Sequence, residues 1–204
     1  MSRQPAASAA ARRLRELRAE AAQCQACPLW RDATQTVFGE GPAGARLVLV
    51  GEQPGDREDL EGHPFVGPAG RVLDEALSEA GIDRREVYLT NGVKHFSYRL
   101  RGKRRIHQKP SAAEAGACRK WLAGELGTLA PQLAVALGAT AAYSLFGRAT
   151  PILANRGRIL RSELFELPVL VTTHPSSVLR QRDRDARERA MAALIADLSQ
   201  ARGG

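Results

Sequence analysis

Four short apolar runs constrain this chain's fold more than any other feature. They are Leu47-Val48-Leu49-Val50, Val87-Tyr88-Leu89-Thr90, Leu133-Ala134-Val135-Ala136-Leu137 and Val169-Leu170-Val171-Thr172-Thr173. Such continuous apolar runs read as strands buried on both faces, the pattern of a parallel sheet covered by helices. Helix-patterned segments lie between them. Residues 12–22 set Leu14 and Leu17 on one side, and residues 69–80 make a helix that stops at Gly81. Ser111 and Glu114 form a capping box opening a helix that carries Cys118 and Trp121. Another helix begins at Gly138, and the last covers residues 184–198. This alternation predicts an α/β fold, a three-layer α/β/α sandwich around a four-stranded parallel sheet, as a single domain over residues 1–204. Residues 1–8 read as disordered, and residues 24–46 and 92–110 as long loops.

The polar segments fall just after the strands. Gly51-Glu52-Gln53-Pro54-Gly55 follows the first run, Asn91-Gly92 the second and His174-Pro175-Ser176-Ser177 the fourth. In open α/β sheets, ligands bind beyond the carboxyl ends of the strands. Three strands therefore aim candidate side chains at one crevice.

Charge names the kind of partner. Thirty Lys and Arg against 22 Asp and Glu leave a net charge of +8, which favours a polyanion such as nucleic acid. The densest basic stretch is Lys103-Arg104-Arg105-Ile106-His107, closed by Gln108-Lys109-Pro110. It fits a phosphate-binding segment that brings a nucleophilic imidazole to its partner, and it also fits a solvated charged loop. No apolar run is long enough to span a membrane, and the first residues lack the apolar stretch of a secretory signal. A cytoplasmic monomer is expected.

Three cysteines in a reducing compartment point to metal or chemistry rather than to a disulfide framework. Cys24-x-x-Cys27 has metal-ligand spacing, with Cys118 and His95 available as third and fourth ligands. The same residues also fit a buried apolar Cys118 and a surface His95. Spacing does not separate zinc from an iron–sulfur cluster.

Several segments together resemble one family. GEQPG, Pro64-Phe65-Val66-Gly67-Pro68-Ala69-Gly70-Arg71, Thr90-Asn91-Gly92-Val93-Lys94 and His174-Pro175-Ser176-Ser177 resemble the uracil-DNA glycosylase superfamily, most of all its iron–sulfur branch. Lys103 to His107 and Gln53 are similar to its UdgX group, and the likeness covers residues 23–180. The resemblance implies a [4Fe-4S] cluster on Cys24, Cys27, His95 and Cys118, with His95 standing where the branch has a cysteine. The cluster would act as a structural clamp on the basic loop, with zinc as the alternative occupant. It further implies uracil-containing DNA as substrate, single-stranded DNA preferred.

Roles follow from the same likeness. Phe65 stacks on the flipped base, Asn91 reads its N3–H and O4 edge, and a neutral His174 donates to O2. The backbone around Gln53 adds to base recognition. Lys103, Arg104, Arg105, Ser176, Ser177 and Arg180 hold the DNA backbone. In an ordinary turnover glycosylase, Glu52 or Asp56 would guide the attacking water. In the UdgX-like reading, His107, kept neutral by the neighbouring cations, captures C1′. Glu52 orients the ring and accepts its proton, and the protein stays attached to DNA. A non-catalytic metal-bound nucleic-acid module is the alternative of a different class.

Overall fold

The computed structural model describes residues 4–202. The strands are β1 (Leu47–Gly51), β2 (Val87–Asn91), β3 (Tyr98–Arg101), β4 (Arg104–His107), β5 (Leu133–Leu137), β6 (Arg158–Ser162) and β7 (Leu167–Thr172). The α-helices are α1 (Gln4–Ala21), α2 (Asp56–Glu61), α3 (Pro68–Glu79), α4 (Ala112–Leu129), α5 (Ala139–Phe146), α6 (Ile152–Asn155), α7 (Ser176–Leu179) and α8 (Arg184–Ser199). The central sheet runs β2-β1-β5-β7-β6. Its first four strands are parallel, and β6 closes the edge antiparallel to β7.

Each parallel strand divides its side chains between two cores, as period-two alternation requires. Val48, Val50, Ala134, Ala136 and Val169 pack on one face against α1, α4 and α5. Leu47, Leu49, Val135, Leu137 and Leu170 pack on the other against α3 and α8. Both faces are covered, hence the unbroken apolar runs. Among the described residues, no helix is long and apolar enough to cross a membrane.

The α/β sandwich stands with five strands rather than four. The extra strand, Arg158-Ile159-Leu160-Arg161-Ser162, is a largely exposed edge with charges at two of its five positions, so it lacks the apolar run that marks a buried strand. Residues 4–8, read above as disordered, belong to α1, and residues 1–3 lie outside the described residues. Five alanines between residues 6 and 11 favour extension of the helix toward the N-terminus. The loop expected over residues 92–110 contains the antiparallel hairpin β3–β4, with His107 opposite Tyr98.

Candidate active site at the strand ends

The carboxyl ends of β1, β2 and β7 open into a cavity of about 820 Å³, lined among others by Glu52, Phe65, Asn91, His107 and His174. Asn91 closes β2 opposite Gly51 in the parallel register. A Cβ on Gly51 would lie 2.3 Å from Asn91 Oδ1 and 2.6 Å from Phe65 Cζ, so only glycine lets that amide and that ring meet. Phe65 is buried, and its φ of +58° is a strained value for a side chain of this size. Its ring stacks with His174 at 6.5 Å between centroids and 25° between planes. Amide, aromatic face and imidazole thus share one chamber.

His174 is fixed in tautomer and charge. The backbone N–H of Ser176 donates to His174 Nδ1 at 3.2 Å, and the Ser176 hydroxyl lies 2.8 Å from the same nitrogen. Nδ1 is therefore the acceptor, and Nε2 carries the proton. Packing around the ring, part of which still opens on the cavity, pulls its pKa down to about 4, although Glu52 favours the charged form. At neutral pH, His174 is an uncharged donor.

Glu52 stands between two partners. Its Oε1 is 3.2 Å from His107 Nε2, and its Oε2 accepts the Thr140 hydroxyl at 2.6 Å. Burial pushes the carboxyl upward in pKa, but the hydrogen bonds from His107 and Thr140 and the charges of His107 and His174 outweigh it, so the net shift is downward. A carboxylate that accepts from the ring places the single proton of an uncharged His107 on Nε2. The other ring nitrogen then keeps its lone pair.

The hairpin that carries His107 is held from outside. Gln53 donates to the carbonyls of Ser97 and Gln108 at 3.1 and 3.0 Å and accepts the Ser97 N–H at 3.0 Å, closing the base of the hairpin. Arg105 turns inward: Nε meets Asp56 at 2.6 Å and one terminal nitrogen meets the fully buried Asp59 at 2.6 Å. Its guanidinium also lies 5.4 and 5.2 Å from the ring centroids of Phe96 and Tyr98. Arg105, expected at a phosphate, is turned instead toward two carboxylates, because the buried Asp59 demands a cation, while Asp56, half exposed, lines the cavity. Lys103 and Arg104 remain exposed at the hairpin turn. Ser176 is engaged by His174 and Arg180, while Ser177 and Arg180 lie on the cavity rim.

The candidate ligand residues lie on three segments: Cys24 and Cys27 after α1, His95 after β2 and Cys118 within α4. Cys118 Sγ accepts the Lys94 backbone N–H and Cys24 Sγ accepts the Trp121 indole N–H, both at 3.2 Å. Such N–H···S contacts suit sulfur that carries charge. Burial pushes the Cys118 thiol up to about 12, opposed by the charge of Lys94. The Thr36 hydroxyl gives its proton to the Ala21 carbonyl, so His95 Nε2, 2.8 Å from Thr36 Oγ1, must donate, leaving Nδ1 as a lone-pair nitrogen. Among the described residues, no group of three or more His, Cys, Asp or Glu side chains converges closely enough to hold a metal ion. The donor types fit a cluster; their positions are not those of a closed metal shell.

Three features escaped the sequence reading. Asp59 ties Arg105 to the Thr34 N–H, which it accepts at 3.0 and 3.1 Å. Thr140 holds Glu52. Beneath Asn91 lies an ion pair, Lys94 to Glu125 at 2.6 Å, with both side chains fully buried. Lys94 also donates to the Asn91 carbonyl at 2.9 Å, and Glu125 accepts from Gly39 N–H, Tyr88 and Thr90. The one available signal was the acidic segment Asp56-Arg57-Glu58-Asp59, whose charge complements the basic run.

A stacking ring, an amide fork and a neutral imidazole at the ends of parallel strands make a site for a planar ring with polar edges. Residues 38–199 match the family described as the Uracil DNA glycosylase superfamily, and the chain belongs to that family. It is 40% identical over 166 residues to a type-4 uracil-DNA glycosylase from Thermotoga maritima, covering 81% of this chain and 82% of that protein. It is 36% identical over 164 residues to one from Pyrobaculum aerophilum, covering 78% and 80%. A third, from Archaeoglobus fulgidus, is 34% identical over 166 residues, covering 78% and 80%.

Proposed function

We propose that this protein excises uracil from DNA and is then joined covalently to the abasic sugar through His107. The observation that carries the second step is the Glu52–His107 pair, 3.2 Å apart at the cavity that holds Phe65, Asn91 and His174. The first step is supported by family membership and by relatives named as type-4 uracil-DNA glycosylases. The likeness of Lys103 to His107 and of Gln53 to the UdgX group supports the second.

A uracil flipped out of the strand stacks on Phe65 and pairs its N3–H and O4 edge with the Asn91 amide. As the C1′–N1 bond breaks, its electron pair stays with the base, and charge grows on O2. The neutral Nε2–H of His174 donates there. The cation left at C1′ meets the lone pair of His107 before water, because imidazole is the better nucleophile. A C1′–N bond forms, and the ring N–H proton passes to Glu52 and on to solvent or to the departing uracil anion. Having lost that proton, the imidazole is a poor leaving group, and the bond persists. Lys103, Arg104, Ser177 and Arg180 hold the phosphates, with Arg105 and Gln53 fixing the hairpin beneath them.

A [4Fe-4S] cluster on Cys24, Cys27, His95 and Cys118 would supply a rigid anchor between the N-terminal segment, β2's exit loop and α4, with zinc as the alternative occupant. A brown protein with broad visible absorption identifies the cluster; a colourless zinc protein identifies the alternative.

The test is denaturing electrophoresis after incubation with a uracil-containing single-stranded oligonucleotide. A slower band that survives heat and detergent, with one uracil released per protein, is expected. Free uracil in many-fold excess over protein, with no shifted band, would instead establish a turnover glycosylase in which Glu52 guides water.

A further inference from the structure

Glu52 is held from the side away from His107 as well. The Thr140 hydroxyl donates to Glu52 Oε2 at 2.6 Å while Oε1 faces His107 at 3.2 Å. Thr140 is only 4% exposed and is the second residue of α5. Its place is set by Gly138, the N-cap, with φ +90°, where a Cβ would approach His174 Cβ to 3.1 Å. The first turn of α5 is thus packed onto the His174 segment, and Thr140 is delivered to the back of the carboxylate.

We infer that Thr140 is a positioning residue that locks Glu52 with one oxygen toward His107 and thereby directs the reaction to covalent capture rather than to water. This rests on the trapping reading above. A hydroxyl has one proton, and here it points at Glu52, so the carboxylate receives from both neighbours and donates to neither. One bond would leave the carboxylate free to rotate about its terminal torsion; two opposed bonds fix it. The titratable groups facing Glu52 are His107 from β4 and His174 from the segment after β7. Thr140 is the neutral donor among them, and it restrains geometry without adding a charge that would compete for the imidazole proton. The gem-like arrangement also keeps Glu52 an acceptor at the moment the ring must release its proton. A carboxylate that swings free of His107 is also the one best placed to orient water.

Thr140→Val keeps the branched shape and removes the donor. Adduct formation on the uracil single strand should slow about tenfold, the effect of losing one hydrogen bond to a charged group. Uracil released per protein should rise above one. The acid limb of adduct formation should move to higher pH, since Glu52 loses one of the bonds that favour its charged form. Thr140→Ser should restore all three, at unchanged Tm for both variants. Thr140→Val with wild-type adduct rate, stoichiometry and acid limb would overturn the inference, as would a Thr140→Ser variant that behaves like Thr140→Val. A wild type that releases uracil repeatedly without any adduct overturns the trapping reading itself and Thr140's role with it.

Discussion

The two halves of the site are built by different means. Asn91 and His174 sit at the ends of strands whose flanks are apolar and buried, so the sheet's register delivers them. His107 sits on a hairpin with four residues per strand and no core of its own. Its position depends on Gln53 at the base and on Arg105 reaching Asp56 and Asp59. An isolated two-stranded hairpin is marginal in water. The half around Asn91 and His174 is held by burial, and the half that carries His107 is held by a few directed polar contacts. The first half should therefore fail by unfolding or by loss of chemistry, and the second by loss of capture alone.

The largest effect should come from the ion pair under Asn91. Lys94→Met leaves Glu125 charged, fully buried and without its cation, a loss of about 3–5 kcal/mol. Thermal unfolding should show a Tm lowered by many degrees, and Lys94→Met/Glu125→Gln, which keeps an acceptor for Gly39 N–H, Tyr88 and Thr90, should recover part of it. Next is His174→Ala, which removes the donor proposed for uracil O2. Single-turnover uracil release should slow by about 10²–10³-fold at unchanged fold. A loss below threefold would detach His174 from the chemistry.

Arg105→Ala tests the other half. Adduct formation should drop by about tenfold or more, since Arg105 holds both Asp56 and the buried Asp59, while uracil release persists and amide exchange quickens over residues 98–107. Equal loss of both activities would erase the distinction between the halves. The smallest effect concerns acid stability. The folded-state pKa of His174 lies near 4, below the ordinary histidine value of 6.5. Between these values, the unfolded chain binds a proton that the native one does not, so stability falls as pH drops from 6.5 toward 4. His174→Asn should flatten that part of the Tm–pH profile.

These contrasts also explain what could be read from sequence. Leu47 to Val50 and Leu133 to Leu137 announce themselves because both their faces are buried, and strand ends follow from strands. Glu52, Asn91 and His174 were findable as the polar residues just beyond them. The hairpin was not, since Tyr98-Arg99-Leu100-Arg101 and Arg104-Arg105-Ile106-His107 carry too few apolar residues to mark strands. Their partners lie 40 or more positions away in Gln53, Asp56 and Asp59. Arg105 looked like its neighbours Lys103 and Arg104, and only the buried Asp59 tells them apart. Thr140 and the Lys94–Glu125 pair likewise join segments far apart in the chain. Polar contacts of that kind leave no periodic trace.

The most direct measurement is the site of attachment. The denatured protein–DNA product, digested with protease and nuclease, should yield one peptide carrying a deoxyribose phosphate remnant, and tandem mass spectrometry should place that mass on His107. The same peptide unmodified, or the remnant on any other side chain, would contradict capture by His107.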